Sequence, residues 1–174
     1  RNGNFIAFEY GRDGKLQRLV DSFNRKMYFT FNNLGYLEKI QGENGKVATY
    51  QYNGAGELVS TKDVEGNSYT YKYSDDRRHN LVEIGYPDKT KQAISYFGRD
   101  KLENVKSVKD RDGTLTEYSY EKNASDRGNF SVGIKISDSS AKKLSDSKYE
   151  YFTKVKPTGE DWTYRMVSTV DGEK

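Results

Sequence analysis

Hydrophobic and polar residues alternate along short stretches of this chain. Residues 48–52 read Ala-Thr-Tyr-Gln-Tyr and residues 69–73 read Tyr-Thr-Tyr-Lys-Tyr, with turn-forming Asn and Gly residues nearby on both sides. A period of two between turn-forming residues predicts half-buried β-strands joined by tight turns. No segment predicts a helix with any force. Residues 139–147 have the length of a helical turn, but their Ser, Asp and Lys content predicts a solvated loop.

The alternating stretches recur with a period of 21 residues, which is typical of a repeat protein. Each repeat carries two large residues separated by one position. The pairs are Phe8/Tyr10, Phe29/Phe31, Tyr50/Tyr52, Tyr71/Tyr73, Ile94/Tyr96 and Tyr118/Tyr120. A leucine follows each of the first five pairs: Leu16, Leu37, Leu58, Leu81 and Leu102. Small insertions near residues 77–79 and 109–111 shift the later repeats without ending the pattern.

Two columns of residues typical of turns complete each repeat. The first column contains Gly3, Asn24, Gly45, Gly66, Lys89 and Gly113, and the second contains Gly14, Gly35, Gly56, His79 and Asp100. Because Gly and Asn accept a positive φ, both columns predict left-handed turn positions. Each unit is therefore predicted to be turn, strand, turn, strand. The predicted fold is all-β, an antiparallel sheet of β-hairpin repeats.

The repeats resemble the YD-repeat, or Rhs, family, whose units follow the pattern Tyr-x-Tyr-Asp-x-x-Gly-Arg-Leu. Residues 8–16, 29–37 and 50–58 carry this spacing, and the resemblance extends over residues 3–120. The copies are degenerate. The position of the family Asp is occupied by Gly11, Asn32, Asn53, Ser74 and Phe97, and a basic residue before the leucine remains as Lys15 and Lys101.

The resemblance implies a long β-sheet that spirals into a hollow shell, as in bacterial toxin-carrying proteins and animal cell-surface teneurins. Such a shell can enclose a C-terminal toxin. Members that cleave themselves end in a plug with an Asp-Pro-x-Gly-type junction. No Asp-Pro pair occurs in this sequence, so we expect neither the cleavage carboxylates nor the toxin in this segment.

A change of rhythm after Tyr120 predicts three segments. Residues 1–122 contain six degenerate YD-type repeats. Residues 123–148 form a Ser-, Asp- and Lys-rich insertion with one short strand at residues 132–136. Residues 149–174 form a divergent terminal hairpin that continues the sheet, with its turn at residues 156–159. A first residue other than Met indicates a piece of a longer protein.

Composition excludes several classes of function. The 29 Lys and Arg residues nearly balance the 26 Asp and Glu residues, so binding to nucleic acid through bulk positive charge is excluded. There is no Cys and His79 is the only His, which removes thiolate metal sites and Ser/His/Asp or Cys/His catalysis. Carboxylates remain, but nothing in the sequence indicates a converging pair. We expect a protein that is not an enzyme and needs no cofactor or metal.

The chain contains 15 Tyr residues, and their columns have two interpretations. If successive strands pair, the second aromatic residues form a ladder on one face. This ladder comprises Tyr10, Phe31, Tyr52, Tyr73, Tyr96 and Tyr120. The rings either stack on sugars or an unfolded chain, or pack against the leucine column and stiffen a sheet that has no second layer. Repeat packing alone produces such columns, so we favour the second interpretation.

Several polar residues have both a functional and a local interpretation. His79 is a candidate pH sensor or ligand contact, but its place in a turn favours a polar residue at a loop tip. The pairs Asp75/Asp76 and Asp110/Asp112 lack the spacing of a calcium loop, so we expect their side chains to cap N–H groups of their own turns. Asn123 and Asn129 begin glycosylation sequons.

Two functions follow from these patterns. The first is a non-catalytic wall segment of a β-shell in a large bacterial protein, secreted or on the cell surface. There the segment would contact the rest of the repeat chain and an enclosed toxin. The second is an adhesion module that binds carbohydrate or a cell surface through exposed Tyr rows. In either case the free edge strands of the segment predict self-association.

Overall fold

The computed structural model describes residues 3–76, 78–98, 103–122, 129–155 and 161–171. These residues contain fourteen β-strands and no helix. The strands are β1 (Ile6–Tyr10), β2 (Leu16–Asp21), β3 (Lys26–Phe31), β4 (Leu37–Gly42), β5 (Val47–Tyr52), β6 (Leu58–Lys62), β7 (Ser68–Tyr73), β8 (Leu81–Gly85), β9 (Lys91–Tyr96), β10 (Val105–Lys109), β11 (Leu115–Lys122), β12 (Phe130–Ser137), β13 (Lys143–Val155) and β14 (Asp161–Val170).

The chain divides into two compact units, Arg1–Thr90 and Lys91–Lys174. In the first unit, strands β1 to β8 pair antiparallel in chain order. In the second unit, β9 to β14 do the same. The predicted all-β fold of antiparallel hairpins is therefore confirmed. Asp100 and Leu102, which belong to the predicted columns, lie outside the described residues.

The register of the first unit gives its sheet one apolar and one polar face. Phe29 lies opposite Ile40, Ile40 opposite Ala48, and Tyr71 opposite Ile84. The other face carries cross-strand polar pairs. Arg18 donates to Glu9 at 2.6 Å, Ser60 donates to Gln51 at 2.8 Å, and Lys72 lies 3.0 Å from Glu83. The period-two pattern of the sequence thus sets which face each side chain occupies.

A β-bulge recurs at the same place in each of the first four repeats. The register shifts directly before the second aromatic residue of the pair, and the extra residue lies on the partner strand, directly after the leucine. The bulge brings that aromatic residue opposite the leucine of the column, giving the pairs Tyr10–Leu16, Phe31–Leu37, Tyr52–Leu58 and Tyr73–Leu81. An extra residue on one strand increases the local twist, so each repeat carries its own source of twist.

Among the described side chains, no hydrophobic one is buried. The buried residues of this part of the chain are polar: Asn129, Ser131 and Ser147, each 8–9% exposed. This follows from a single layer of sheet, in which an apolar side chain is covered by its neighbours on the same face and not from above. Stabilisation therefore comes from cross-strand pairs and from contacts between repeats.

Strand β13 corrects one prediction from the sequence. Residues 139–147 were expected to form a solvated loop, but β13 begins at Lys143 and pairs with β12 from there onward. Ser145 and Ser147 lie opposite Ile136 and Ile134. Main-chain pairing along the edge of β12 extends the strand through polar residues, which the side-chain pattern did not reveal.

The last three strands lie in the region of the predicted insertion and terminal hairpin. The predicted strand at residues 132–136 is part of β12, and β13 pairs with β14 from Ser147 to Val155. The predicted turn at residues 156–159 lies outside the described residues. The structure contains no helix, within the part of the chain it describes, that could span a membrane. The division of the chain into the three predicted segments remains a prediction.

Candidate functional site

Nine of the described turns share one five-residue geometry. The first residue's amide donates to the fifth residue's carbonyl, and the fourth residue's amide donates to the first residue's carbonyl. In the turn at residues 32–36 both bonds measure 2.9 Å. The nine turns span residues 11–15, 21–25, 32–36, 42–46, 53–57, 63–67, 86–90, 110–114 and 138–142. These are hairpin turns closed by a bulge at the fourth residue.

The fourth residue of each such turn lies in the left-handed region. The structure places every described member of the two predicted turn columns there, with φ between 59° at His79 and 90° at Gly66. Three of these residues, Asn24, His79 and Lys89, carry side chains. Ala141, in the turn between β12 and β13, does so as well at φ 65°. The repeat therefore holds the turn conformation even where Gly is absent.

Asp and Asn side chains close these turns in two ways. In one, the first residue is Asp or Asn and its Oδ1 accepts the amides of the third and fifth residues. Asn53 accepts the amides of Ala55 and Glu57, both at 3.0 Å. The other members of this group are Asp21, Asn32, Asp63 and Asp138.

In the other way, the third residue supplies the acceptor for the fifth amide. Asp13, Asn44, Asp88 and Asp112 do so at 2.8–3.2 Å.

The sequence predicted that Asp76, Asp110 and Asp112 cap N–H groups of their own turns. This is confirmed, since each side chain accepts a hydrogen bond from a main-chain amide of its own turn. Sequence reasoning missed Asp21, Asp63 and Asp138. An Asp three positions before the left-handed residue is the signal that identifies them.

Hydrogen bonds within the turns stabilise the charged form of their carboxylates. The side chain of Asn67 is the largest cause that lowers the pKa of Asp63, and the hydroxyl of Ser140 has the same effect on the pKa of Asp138. Burial acts to raise the pKa of Asp21, but the hydrogen bonds from Arg25 and Phe23 outweigh this effect, so the pKa is lowered. These carboxylates serve the turns and are ionised at neutral pH.

A second set of contacts joins one repeat to the next. The residue directly before the leucine column, which we call the pre-leucine residue, reaches across to the following repeat. The Nζ of Lys15 lies 5.5 Å from the ring centroid of Phe31. Tyr36 stacks on Tyr52 with centroids 4.9 Å apart and planes at 24°. The family's basic residue at this position is thus replaced by Tyr at 36, yet the contact persists.

The pre-leucine side chain also passes over the left-handed residue of the next turn. A Cβ built on Gly35 would lie 3.3 Å from Lys15 Nζ, and one built on Gly56 would lie 3.0 Å from Tyr36 Cζ. In the next repeat the left-handed residue of the turn is His79. Its Nδ1 lies 2.7 Å from Oε1 of Glu57, the pre-leucine residue of the preceding repeat.

His79 therefore takes part in a contact between repeats, at a turn where its side chain is 57% exposed. The hydrogen bonds from Asn53 and then from His79 lower the pKa of Glu57.

The turns that contain Asn24, Gly45 and Gly66 carry ion pairs between neighbouring hairpins. Lys26 lies 3.4 Å from Glu43, and Lys46 lies 3.1 Å from Glu65.

The predicted aromatic ladder lies on the apolar face of each unit. Within the first unit, Phe31 and Tyr52 lie beneath the pre-leucine residues Lys15 and Tyr36, and the hydroxyl of Tyr73 donates to the carbonyl of Leu58 at 3.0 Å. In the second unit Tyr96 lies opposite Val105.

The ring of Tyr120 meets the ring of Phe97 edge-on at 6.1 Å. Burial is the largest cause that raises the pKa of Tyr52, Tyr73 and Tyr120. Tyr10 differs from the other ladder residues because it is 63% exposed.

Two carboxylates of the second unit lie beside a shallow cavity. Glu121 and Glu150 flank a shallow cavity of about 200 Å³, but the ammonium of Lys148 lies 3.7 Å and 3.8 Å from them. Among the described residues no group of three or more His, Asp or Glu side chains could hold a metal ion.

One glycosylation sequon is inaccessible in the folded chain. Asn129 is 8% exposed and its Oδ1 accepts the amide of Thr153 at 2.8 Å. Asn123 lies outside the described residues.

Residues 52–91 match the family model of the RHS repeat. This part of the chain is similar to an RHS repeat. The matched segment runs from Tyr52 through the Glu57–His79 contact to the beginning of β9, so it includes two aromatic pairs of the ladder in whole or in part. The resemblance carried by the sequence spacing is confirmed there.

The fold is similar to solved structures of much longer chains. A crystal structure of TcdB2-TccC3-Cdc42 matches over 95% of this chain and 10% of that chain, at 12% identity and a TM-score of 0.54. A crystal structure of TcdB2-TccC3 matches over 84% of this chain and 11% of that chain, at 13% identity and a TM-score of 0.30, too low to support an argument. No curated protein matches the chain. The chain thus spans about a tenth of the solved chain whose fold it is similar to.

Proposed function

We propose that this chain is a non-catalytic wall segment of a large RHS-repeat protein. The segment contributes part of a β-shell that encloses a cargo such as a toxin, or presents it. Its partners are the rest of the repeat chain and the enclosed cargo, and it needs no cofactor. We further propose that the parent protein is bacterial and acts outside the cell or at its surface.

The repeated contact between successive repeats is the observation that carries this proposal. Lys15, Tyr36 and Glu57 occupy the same place in three repeats and each contacts the next repeat. Such contacts, and the absence of a buried hydrophobic side chain among the residues that the structure describes, suit a sheet that is continued by further repeats. The fold shared with the TcdB2-TccC3-Cdc42 structure is consistent with this role.

The adhesion alternative depends on rings that are free to meet a ligand. Tyr52, Tyr73 and Tyr120 are engaged by neighbouring side chains or main chain, which favours packing over sugar binding. Tyr10 and Phe8 are more than half exposed, but both lie on the edge strand β1, where a further strand would cover them. We therefore place the wall function first.

Limited proteolysis of the full-length parent protein, followed by mass spectrometry, tests the wall function. We expect a C-terminal segment that is cleaved from the repeat chain, resists further digestion and co-purifies with it. A parent protein with no protected segment would overturn the proposal. In that case binding to a panel of glycans by the Tyr10→Ala variant and the unchanged chain would test the adhesion function.

A further inference from the structure

Two exposed Asn-Gly pairs lie in described turns of the first unit, Asn44-Gly45 and Asn53-Gly54. An Asn followed by Gly is prone to deamidation, because Gly has no Cβ to hinder its main-chain nitrogen as it attacks the preceding side-chain amide. The two pairs occupy different places. Asn44 is the third residue of its five-residue turn, and Asn53 is the first residue of its own turn. The hydrogen bonds around the two side chains therefore differ.

Two main-chain amides polarise the side-chain carbonyl of Asn53. Its Oδ1 accepts the amides of Ala55 and Glu57, both at 3.0 Å, and its Nδ2 donates to Oε2 of Glu57 at 2.6 Å. When a nucleophile adds to Cγ, negative charge develops on Oδ1, and two N–H groups already point at that atom. Within the described chain, the Oδ1 of Asn44 accepts one amide, that of Lys46 at 3.1 Å.

The attacking nitrogen also differs between the two pairs. The amide of Gly45 donates to the carbonyl of Gly42 at 3.1 Å, and this hydrogen bond must break before the nitrogen can attack. The amide of Gly54 forms no hydrogen bond within the part of the chain that the structure describes. A Cβ built on Gly54 would meet no atom within 4 Å beyond its chain neighbours. The turn thus leaves this nitrogen free and activates the group that it attacks.

We propose that Asn53 is a site of spontaneous covalent modification that its own turn promotes. The Gly54 nitrogen loses its proton to water and bonds to Cγ of Asn53. The bond from Cγ to Nδ2 breaks, and Nδ2 takes a proton from water and leaves as ammonia. The resulting succinimide ring is opened by a second water molecule, which adds to one of the two ring carbonyls and yields aspartate or isoaspartate. The reaction consumes only water and releases ammonia.

The aspartate product changes the contact between repeats and keeps the turn. Asp21, Asp63 and Asp138 accept the same two amides in their own turns, so aspartate at position 53 retains both bonds. It replaces the bond from Nδ2 to Glu57 by two adjacent carboxylates, which repel each other. Because Glu57 contacts His79 of the next repeat, the modification reaches that contact. Isoaspartate adds one carbon to the main chain, which moves both amides away from the carboxylate.

Asn32 provides a second comparison within the same chain. Its Oδ1 accepts two amides of its own turn, both at 3.0 Å, as the Oδ1 of Asn53 does. Its next residue is Asn33, whose side chain hinders the attack. Asn44 therefore has the Gly without the two donors, and Asn32 has the two donors without the Gly. Among the asparagines that the structure describes, Asn53 combines both.

Peptide mapping of the aged protein tests the proposal. The folded chain is incubated at neutral pH, and samples taken over time are digested with trypsin. The three asparagines fall in different tryptic peptides, which span residues 27–39, 40–46 and 47–62. Mass spectrometry measures the conversion of each, and chromatography separates aspartate from isoaspartate. The same incubation in guanidinium chloride gives the three rates in the unfolded chain.

In the folded chain we expect Asn53 to convert about five-fold faster than Asn44, as one further hydrogen bond to the developing charge predicts, and Asn32 to be the slowest. In guanidinium chloride the two Asn-Gly pairs should convert at nearly equal rates, because neither turn remains. Equal rates in the folded chain, or a faster Asn44, would overturn the proposal. The same ratio in the folded and unfolded chains would do so as well, since the turn would then have no part in it.

Two variants test the nucleophile and the consequence. Gly54→Ala should suppress conversion of Asn53 and leave Asn44 unchanged, and undiminished conversion would show that the Gly54 nitrogen is not the attacking group. Asn53→Asp, which copies one product, should raise the pKa of Glu57 in an NMR titration, because the hydrogen bond from Asn53 is the largest cause that lowers it. An unchanged pKa of Glu57 would contradict the claim that the modification reaches the contact between repeats.

Discussion

At the scale of single residues, the turns combine two requirements in five positions. One residue must adopt a left-handed conformation, and one Asp or Asn must accept amides that the hairpin leaves unpaired. Gly satisfies the first requirement with no steric cost, and an Asx side chain satisfies the second. Because the acceptor can stand at the first or the third position, the family Asp can be lost, as at Gly11, while the turn is kept by Asp13.

Ala141 should be replaceable by Gly with a gain in stability. It lies at φ 65°, where a Cβ crowds the main chain, at a cost of about 1–2 kcal/mol. Part of this gain is offset by the greater freedom of Gly in the unfolded chain, so we expect Ala141→Gly to raise the free energy of unfolding by about 0.5–1 kcal/mol. Urea denaturation measures it. Gly45→Ala, at φ 78° in open space, should change stability in the opposite direction.

The carboxylate of Asp138 should make its turn sensitive to acid. Hydrogen bonds from Ser140 and Lys142 lower its pKa from the ordinary value of 3.8. A carboxylate whose pKa is lower in the folded chain than in the unfolded chain stabilises the fold above pH 3.8. This stabilisation is lost as the pH falls through the pKa of the folded state. Asp138→Asn keeps the Oδ1 acceptor but does not titrate, so its stability should fall less steeply than that of the unchanged chain below this pH.

Thermal unfolding between pH 2 and pH 7 gives the comparison for Asp138. Asp138→Ala is the matched control, since it removes the acceptor and should be less stable at every pH. Parallel curves for the unchanged chain and Asp138→Asn would show that this carboxylate does not contribute to acid sensitivity.

At the scale of strands and turns, the pre-leucine residue determines how neighbouring hairpins meet. Lys15, Tyr36 and Glu57 make a cation–π contact, a ring stack and a hydrogen-bonded pair with His79 at equivalent places. The chemistry of the contact changes while its geometry is kept. We infer that each pair of neighbours has its own matched contact, which helps to fix the order and register of the repeats.

The ring of Tyr36 should make Gly56 less tolerant of substitution than Gly14. Both residues have a positive φ, but only Gly56 of these two lies beneath a side chain. We expect Gly56→Ala to cost about 1–2 kcal/mol more than Gly14→Ala in urea denaturation, because a Cβ displaces the stacked ring. In the Tyr36→Ala background the difference should vanish. A difference that persists there would show that the ring is not its cause.

The sequence reveals the strands and the turns because both are encoded locally. Period-two alternation places Tyr50 and Tyr52 on one face, and Gly at a fixed spacing marks the left-handed positions. The contact of Glu57 with His79 could not be predicted, since it joins residues in different repeats and depends on the two-residue insertion in that turn. The start of β13 at Lys143 was missed because pairing with β12 extends a strand through polar residues.

At the scale of the whole molecule, stability comes from neighbours and not from a central core. The described side chains include no buried hydrophobic residue. Within each unit, the strands pair with their neighbours in chain order. Strands at the edges of such a sheet retain unpaired main-chain groups and exposed rings such as Tyr10.

The chain should therefore self-associate through its edge strands. We expect light scattering to show a mass that increases with protein concentration. The double variant Tyr10→Ala, Phe8→Lys should associate less, because it weakens pairing at the edge of β1. A chain that stays monomeric over a wide concentration range would contradict the prediction.

Electron cryo-microscopy of the full-length parent protein tests the central claim most directly. The wall function predicts that the strands of this segment continue into flanking repeats on both sides and line a closed interior that contains further density. An image in which the segment stands apart as a separate domain, with β1 and its aromatic face open to solvent, would contradict it.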